Sequence, residues 1–242
     1  MFPFGSLPTP SLQAHSPLER ESGARREMEA KTEKMGRRSV HTADELRELI
    51  LEASTELIRE TGYTGLSARE IARRINYSPG TLYNVFENLD DLVLTIEGRL
   101  LDQLLAALSE SVAGADPRER VHLLAARYLK FTHENPRLWN LLFEHHLPSG
   151  REVPAWYQQK LESLLGEVER ALAPLMSGMD PQAIRRSARV LWSGVHGITS
   201  LSTAEKLAII PKDSASGLLD DLVGTYLAGL RTPPDKRAEA SR

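Results

Sequence analysis

From about residue 46 onward, apolar residues recur three and four positions apart, and breaks in this rhythm mark out a succession of helices. In the first helix, Leu46, Leu49, Ile50, Ala53, Leu57 and Ile58 make one apolar stripe. Thr42 and Glu45 are spaced as a capping box at its start, and Gly62 is placed to terminate it. Ser67 and Glu70 repeat the capping-box spacing ahead of Ile71, Ala72 and Ile75, the buried face of a second helix. That helix stops at Asn76-Tyr77-Ser78-Pro79, because the residue before a proline avoids the helical region. Ser78 then caps a third helix with Pro79 in its first turn; it runs to about Phe86 and turns Leu82, Val85 and Phe86 inward. Asn88 and Asp91 open a fourth. Its stripe of Leu92, Val93, Ile96, Leu100, Leu104 and Leu108 carries it to a break at Gly114-Ala115-Asp116-Pro117.

The same period continues beyond that break. Helices are predicted over about 117–134, from Pro136 to about Leu147, over about 154–173, from Pro181 to about 206 and over about 213–230. No stretch alternates as a strand would, so the chain is predicted to be all-α. The expected division is a disordered tail over 1–40, a helix-turn-helix domain over 41–97, a helical bundle over 98–231 and a flexible tail over 232–242. Residues 1–40 combine Pro, Ser and mixed charge without any apolar period, the composition of a disordered segment. Met28 and Met35 within them are, with Met1, candidate translation starts among which the sequence does not choose.

The short third helix is the most informative. With its apolar residues inward, Thr81, Tyr83 and Asn84, together with Tyr77 from the turn, face outward. A polar, hydrogen-bonding set at the start of a helix that follows a tight turn is what a major-groove reader requires. A solvated helical hairpin would carry the same polarity, so the surrounding helices decide between the two. Residues 42–97 resemble the N-terminal DNA-binding domain of the tetracycline-repressor (TetR) family of bacterial regulators. The resemblance is carried by Ala53 with Gly62-Tyr63, by Arg69-Glu70-Ile71-Ala72, and by Ser78-Pro79-Gly80-Thr81-Leu82-Tyr83-Asn84-Val85-Phe86. It implies DNA contacts from Ser67, Arg69, Tyr77, Ser78, Pro79, Gly80, Thr81, Tyr83 and Asn84, in a homodimer bound to a pseudo-palindromic operator. Arg38, just ahead of the first helix, is expected to reach DNA as a basic arm. The chain departs from the family where the fourth helix begins. A phosphate-binding lysine is common there, and this chain has Leu89 beside Asp90 and Asp91.

Overall charge alone would not suggest a nucleic-acid partner: it is −3 over 242 residues, with a pI near 6.2. The basic groups are local, with Arg69, Arg73 and Arg74 set against Glu70, while Glu48, Glu52, Glu56 and Glu60 make the outer face of the first helix acidic. A small basic patch on an acidic chain predicts a modest salt dependence per monomer. There is no cysteine, which excludes disulfides, thiolate metal sites and sulfur redox sensing. No apolar run reaches the roughly 18 residues of a membrane span. No secretory signal is visible, so a cytoplasmic location is expected.

In the C-terminal half, Arg189-Val190-Leu191-Trp192-Ser193-Gly194-Val195-His196-Gly197-Ile198 resembles the Trp…His-Gly stretch of the WHG type of TetR C-terminal domain. Regulators of this kind sense small molecules, which makes Tyr128, Phe131, Trp139, Phe143, His146, Trp156, Trp192 and His196 candidate effector contacts. For any one aromatic, plain core packing explains the position as well. His196, on an apolar helix face, needs a hydrogen-bond partner or a ligand. Few Lys or Arg residues occur in these segments, so the expected effector is hydrophobic or aromatic rather than phosphorylated. Gly194 and Gly197 sit mid-helix, where each costs up to about 1 kcal/mol relative to alanine, which predicts close approach of a helix or ligand. The family resemblance implies that the last two helices form the dimer interface, with Gly194, Gly197, Leu218, Leu222 and Tyr226 in it.

An enzyme or metalloprotein is the opposing class. Its candidate ligands are His133, Glu144, His145, His146 and His196, with Glu119-x-x-His122 as one Glu-x-x-His pair. A di-metal bundle needs two such pairs and two further inward glutamates. No nucleophile elbow or phosphate-cradling loop is present, so no catalysis, metal or cofactor is expected. The expected function is a ligand-responsive repressor. An activator of the same fold is the alternative, since operator position sets that sign.

Overall fold

A computed structural model describes residues 41–110, 115–203 and 212–230. Arg38 and the segments 1–40 and 232–242 lie outside the described residues. The chain divides into two units, Met1–Glu45 and Leu46–Arg242, and the hydrophobic core belongs to the second. Among the described residues all regular structure is helical: α1 (Ala43–Thr61), α2 (Ala68–Ile75), α3 (Pro79–Leu82), α4 (Leu89–Ser109), α5 (Pro117–Glu134), α6 (Pro136–Glu144), α7 (Ala155–Leu172), α8 (Pro181–Thr203) and α9 (Lys212–Gly229).

Local chemistry sets most of the boundaries. At the start of α1 the Thr42 amide donates to Glu45 Oε2 at 2.8 Å, and the Glu45 amide donates back to Thr42 Oγ1 at 3.3 Å. The box at Ser67 forms only by half. Ser67 Oγ accepts from the Glu70 amide at 3.2 Å, but the Glu70 carboxylate turns forward to Arg73 Nε at 3.0 Å, a charged partner one turn along that outcompetes a neutral backbone amide. Gly62 ends α1 with φ +76°, a conformation that costs an L side chain its steric freedom. Asn76 ends α2 in the left-handed region at φ 59°. Asn88 caps α4 through the Asp91 amide at 2.9 Å, and Asp91 Oδ2 accepts from the Glu87 amide at 3.1 Å.

Two helices are shorter than their sequence period suggests. Regular α3 ends at Leu82 rather than near Phe86. Past it the chain advances through turn bonds such as Val85 N–H to the Leu82 carbonyl at 3.0 Å, and Phe86 still reaches the core. The sixth helix ends at Glu144 rather than near Leu147, because His145 adopts extended dihedrals as its side chain turns inward, with Pro148 ahead.

α4 is the element shared by both halves of the second unit. One face, from Leu92 to Leu108, packs into the main core, while Leu94 and Leu101 pack with Tyr157 of α7 in a second cluster. Each fully buried leucine contributes about 1.5–3 kcal/mol, so α4 is held firmly along both faces. The helix carries at its N-terminal end the segment that holds α2 and α3. α6 contacts the turn Tyr63–Gly65, and Arg137 Nη1 donates to the Arg59 carbonyl at 2.9 Å, placing a cation at the C-terminal dipole of α1. α5 and α7 flank α4, α8 packs on α7, and α9 packs on α8 and α5.

Candidate functional site

The helix-turn-helix surface is built on a small apolar base. Ile71, Ala72, Ile75, Leu82 and Phe86 are buried, and Arg47 of α1 lies 4.4 Å above the Phe86 ring. With that face fixed, Tyr83 stands 55% exposed, and Asn84, Ser78, Pro79 and Gly80 are exposed beside it. Thr81 and Tyr77 are half-buried, the latter packed against the core. Ser78 Oγ spends its bond on Thr81 Oγ1 at 3.0 Å rather than on a helix-capping amide.

The arginines beside this surface are not equivalent. Arg73 is held by Glu70, and Arg74 reaches back to Glu60 of α1 at 3.1 Å. These guanidinium groups hold both carboxyls below the usual range, through hydrogen bonds first and charge second. Arg69 is exposed and makes no ion pair with any described residue, and Ser67 is exposed next to it. Leu89, where the family often has lysine, is half-buried against the core and does not reach outward.

Within the bundle, α4, α5, α6, α7 and α8 enclose a cavity of about 640 Å³. Its wall is mainly leucine and valine from α4, α5 and α7, and Tyr128, Trp139, Phe143, His146 and Trp192 also line it. His196 stands behind the wall and orders it. Its ring stacks on Trp192 at 5.3 Å and 13° and lies 4.8 Å from Phe143. Burial lowers the pKa of His196 and keeps it neutral. Its Nδ1 therefore accepts from the Tyr128 hydroxyl at 2.9 Å. Desolvation pushes the Tyr128 phenol far upward, so it stays a donor.

Trp156 is a correction. It stands outside the cavity with its ring against Gly98, where an added Cβ would come within 2.7 Å. Phe131 is buried in the core and is absent from the cavity wall.

The expected scarcity of basic groups is also revised, because Arg151 lines the cavity. It belongs to a polar floor that the helical period did not reveal. Glu97 is only 3% exposed. His145 bridges two α4 carboxylates, with Nδ1 3.0 Å from Glu97 Oε1 and Nε2 3.3 Å from Asp90 Oδ1. Burial disfavours the charged imidazole, but the hydrogen bonds and charges of Glu97 and Asp90 outweigh it and raise its pKa. Burial, with the Glu97 charge second, raises the pKa of the Tyr157 phenol, and Arg151 lies 3.0 Å from Glu87. The available signal was an acid inside the apolar run Leu92–Leu101, with His145 and Arg151 flanking a Pro-Ser-Gly turn.

The proposed interface residues also divide. Gly194 admits Leu222 of α9, whose Cδ2 would lie 2.9 Å from an added Cβ. Tyr226 donates to the Ser187 carbonyl at 3.1 Å. These three residues therefore join α8 to α9 within one chain. At Gly197 nothing among the described residues of the same chain lies within 4 Å of an added Cβ. Leu218, Val190 and Leu201 are exposed on α9 and α8.

Comparison with known proteins places this architecture. Residues 50–96 match the model "Bacterial regulatory proteins, tetR family", and residues 121–226 match "Tetracyclin repressor-like, C-terminal domain". The HTH-type transcriptional regulator BetI of Rhizobium meliloti is 27% identical over 190 residues, covering 75% of this chain and 89% of that protein. The transcriptional repressor FadR of Thermus thermophilus, solved with lauroyl-CoA, has a TM-score of 0.56 at 23% identity, over 78% of this chain and 97% of that one. The regulator FadR of Bacillus subtilis, solved with stearoyl-CoA, has a TM-score of 0.59 at 17% identity, over 73% and 97% of the two chains.

Proposed function

Since the chain belongs to the TetR family of DNA-binding transcriptional regulators, we propose that it is a homodimeric repressor released from its operator by a small hydrophobic effector. The observation that carries this reading is the apolar cavity of about 640 Å³ against α4, the helix whose first turn adjoins the Tyr83 surface. In this proposal residues 41–97 carry the DNA-reading surface, and residues 98–231, joined by Leu94 and Glu97 of α4, bind the effector and pair the protomers.

Two protomers place their α3 segments in successive major grooves, on the order of 34–36 Å apart. Asn84 and Tyr77 contact base edges, while Tyr83, Thr81, Ser67, Arg69 and the amides near Ser78-Pro79-Gly80 position the unit on phosphates. An effector acts only through its different affinity for two arrangements of the paired domains. Filling the cavity shifts α4 against α7 and α5, and so changes the separation of the two Tyr83 surfaces. Leu218, Val190, Leu201 and Gly197 form the proposed dimer face, because they remain open while Gly194, Leu222 and Tyr226 are engaged within the protomer.

The test is operator binding by fluorescence anisotropy on a site obtained by in vitro selection. Hydrophobic compounds should release wild type, and Trp192→Ala or His196→Ala should blunt release without abolishing binding. A full response in both variants would remove these residues from the effector site.

A further inference from the structure

The hydrophobic body of an effector follows from the leucine wall, but its head group is set by the polar floor. The cavity wall includes three basic side chains, His145, His146 and Arg151. Each of them already holds at least one partner among the described residues. Both ring nitrogens of His145 face carboxylates. Arg151 binds Glu87 at 3.0 Å and lies 4.0 Å from Asp90. His146 Nδ1 is bonded to the Glu144 carbonyl at 2.9 Å, and its ring sits exposed at the rim. Glu97 is the reverse case. A carboxylate offers about four acceptor sites. The His145 ring occupies one of these sites.

We infer that the cavity selects an amphiphile whose head group is a cation or a neutral hydrogen-bond donor seated on Glu97, and that it discriminates against anionic heads such as carboxylates and the phosphates of an acyl-CoA thioester. This rests on the cavity being the effector site. An ammonium or hydroxyl meets a buried, negatively charged acceptor with capacity to spare, in a medium where charge-assisted bonds are strong. An anionic head meets Glu97 and Asp90 at close range and competes with carboxylates that already hold His145 and Arg151, so its desolvation is poorly offset. The acyl-CoA ligands of the Bacillus subtilis and Thermus thermophilus structures therefore belong to those proteins and do not name the head group that fits this one. Glu97 also holds His145, which holds Asp90 in the first turn of α4, so a head seated there acts directly on the helix that carries the DNA-reading unit.

The experiment is a matched-chain titration of the full-length protein with dodecylamine, 1-dodecanol, laurate and lauroyl-CoA. Each is kept below its aggregation concentration, and binding is read from quenching of tryptophan fluorescence at neutral pH. Dodecylamine should bind at least about tenfold more tightly than laurate or lauroyl-CoA, with 1-dodecanol between them, a ratio expected for one charge-assisted hydrogen bond. Glu97→Gln should remove most of the amine preference, leave 1-dodecanol within about threefold, and improve laurate. Laurate or lauroyl-CoA matching the amine in wild type would overturn the head-group assignment while leaving the hydrophobic effector site standing. An amine preference unchanged in Glu97→Gln would likewise overturn it. Failure of all four compounds to bind would overturn the effector site itself. The wild-type series decides the question even if the variant does not fold.

Discussion

Replacing His145 by alanine strips the one cation from between two α4 carboxylates. The imidazole side chain is 2% exposed and Glu97 is 3% exposed, whereas the Asp90 side chain is 27% exposed. Two hydrogen bonds to charged groups are worth about 1.5–3 kcal/mol each. The Asp90 bond is discounted because water reaches that carboxylate, and desolvation of the ring offsets part of the Glu97 bond. What remains is the cost of leaving Glu97 buried without its cation, about 3 kcal/mol, the lower end for breaking a buried pair. For a chain of this size that lowers the melting temperature by roughly 6–12 °C.

The pH dependence carries a sign. The folded pKa of His145 is raised, so its contribution is fully present below the unfolded value near 6.5 and is lost as pH rises through the folded value. Wild type should therefore lose stability as pH rises above the unfolded value near 6.5, and the variant should lack that slope. Thermal unfolding followed by circular dichroism, repeated in urea across pH about 6–9, measures both effects. A loss under about 1 kcal/mol, or parallel pH profiles for the two proteins, would refute a charged bridge at His145.

At the DNA surface, Tyr83→Ala should weaken specific binding at fixed salt, and Arg69→Ala should reduce the salt slope of binding by about one, both read by anisotropy; unchanged values would remove these contacts. Leu218→Asp should shift the proposed dimer toward monomer with helicity preserved, as measured by light scattering and circular dichroism. Leu222→Asp should instead unfold the α8–α9 pair, because Leu222 packs on Gly194. Gly194→Ile forces bulk toward the Leu222 side chain and should cost about 1–3 kcal/mol in chemical unfolding, whereas Gly194→Ala should cost less because a flexible leucine terminus can give way.

Much of this fold was legible in the chain because its determinants are local. Thr42, Asn88 and the prolines at 79, 117, 136 and 181 start helices through groups only a few residues away. Where a nearby charge competes, the local rule fails, as when Arg73 takes the Glu70 carboxylate from the Ser67 box. The cavity was harder to read. Its leucines have the same spacing as core leucines, and nothing in a helical period says whether a partner side chain fills the gap. The polar floor was hidden for a different reason. Asp90, Glu97 and His145 meet only after the chain folds back over about fifty positions, so His145 reads as one of a pair of histidines on a helix, not as the residue that ends it. The DNA-reading segment was legible in its residue types, but the distinction between Arg69 and the ion-paired Arg73 and Arg74 required α1 to be in place.

Whether cavity filling controls the DNA surface can be decided in a single titration. Labelled operator is bound to the wild-type protein, 1-dodecanol is added, and anisotropy is recorded together with tryptophan fluorescence, so that release and cavity occupancy are read from one sample. Occupancy should raise the operator Kd by at least about tenfold, equivalent to about 1.4 kcal/mol of coupling, and both signals should share one midpoint. Saturated tryptophan quenching with an unchanged operator Kd would contradict it.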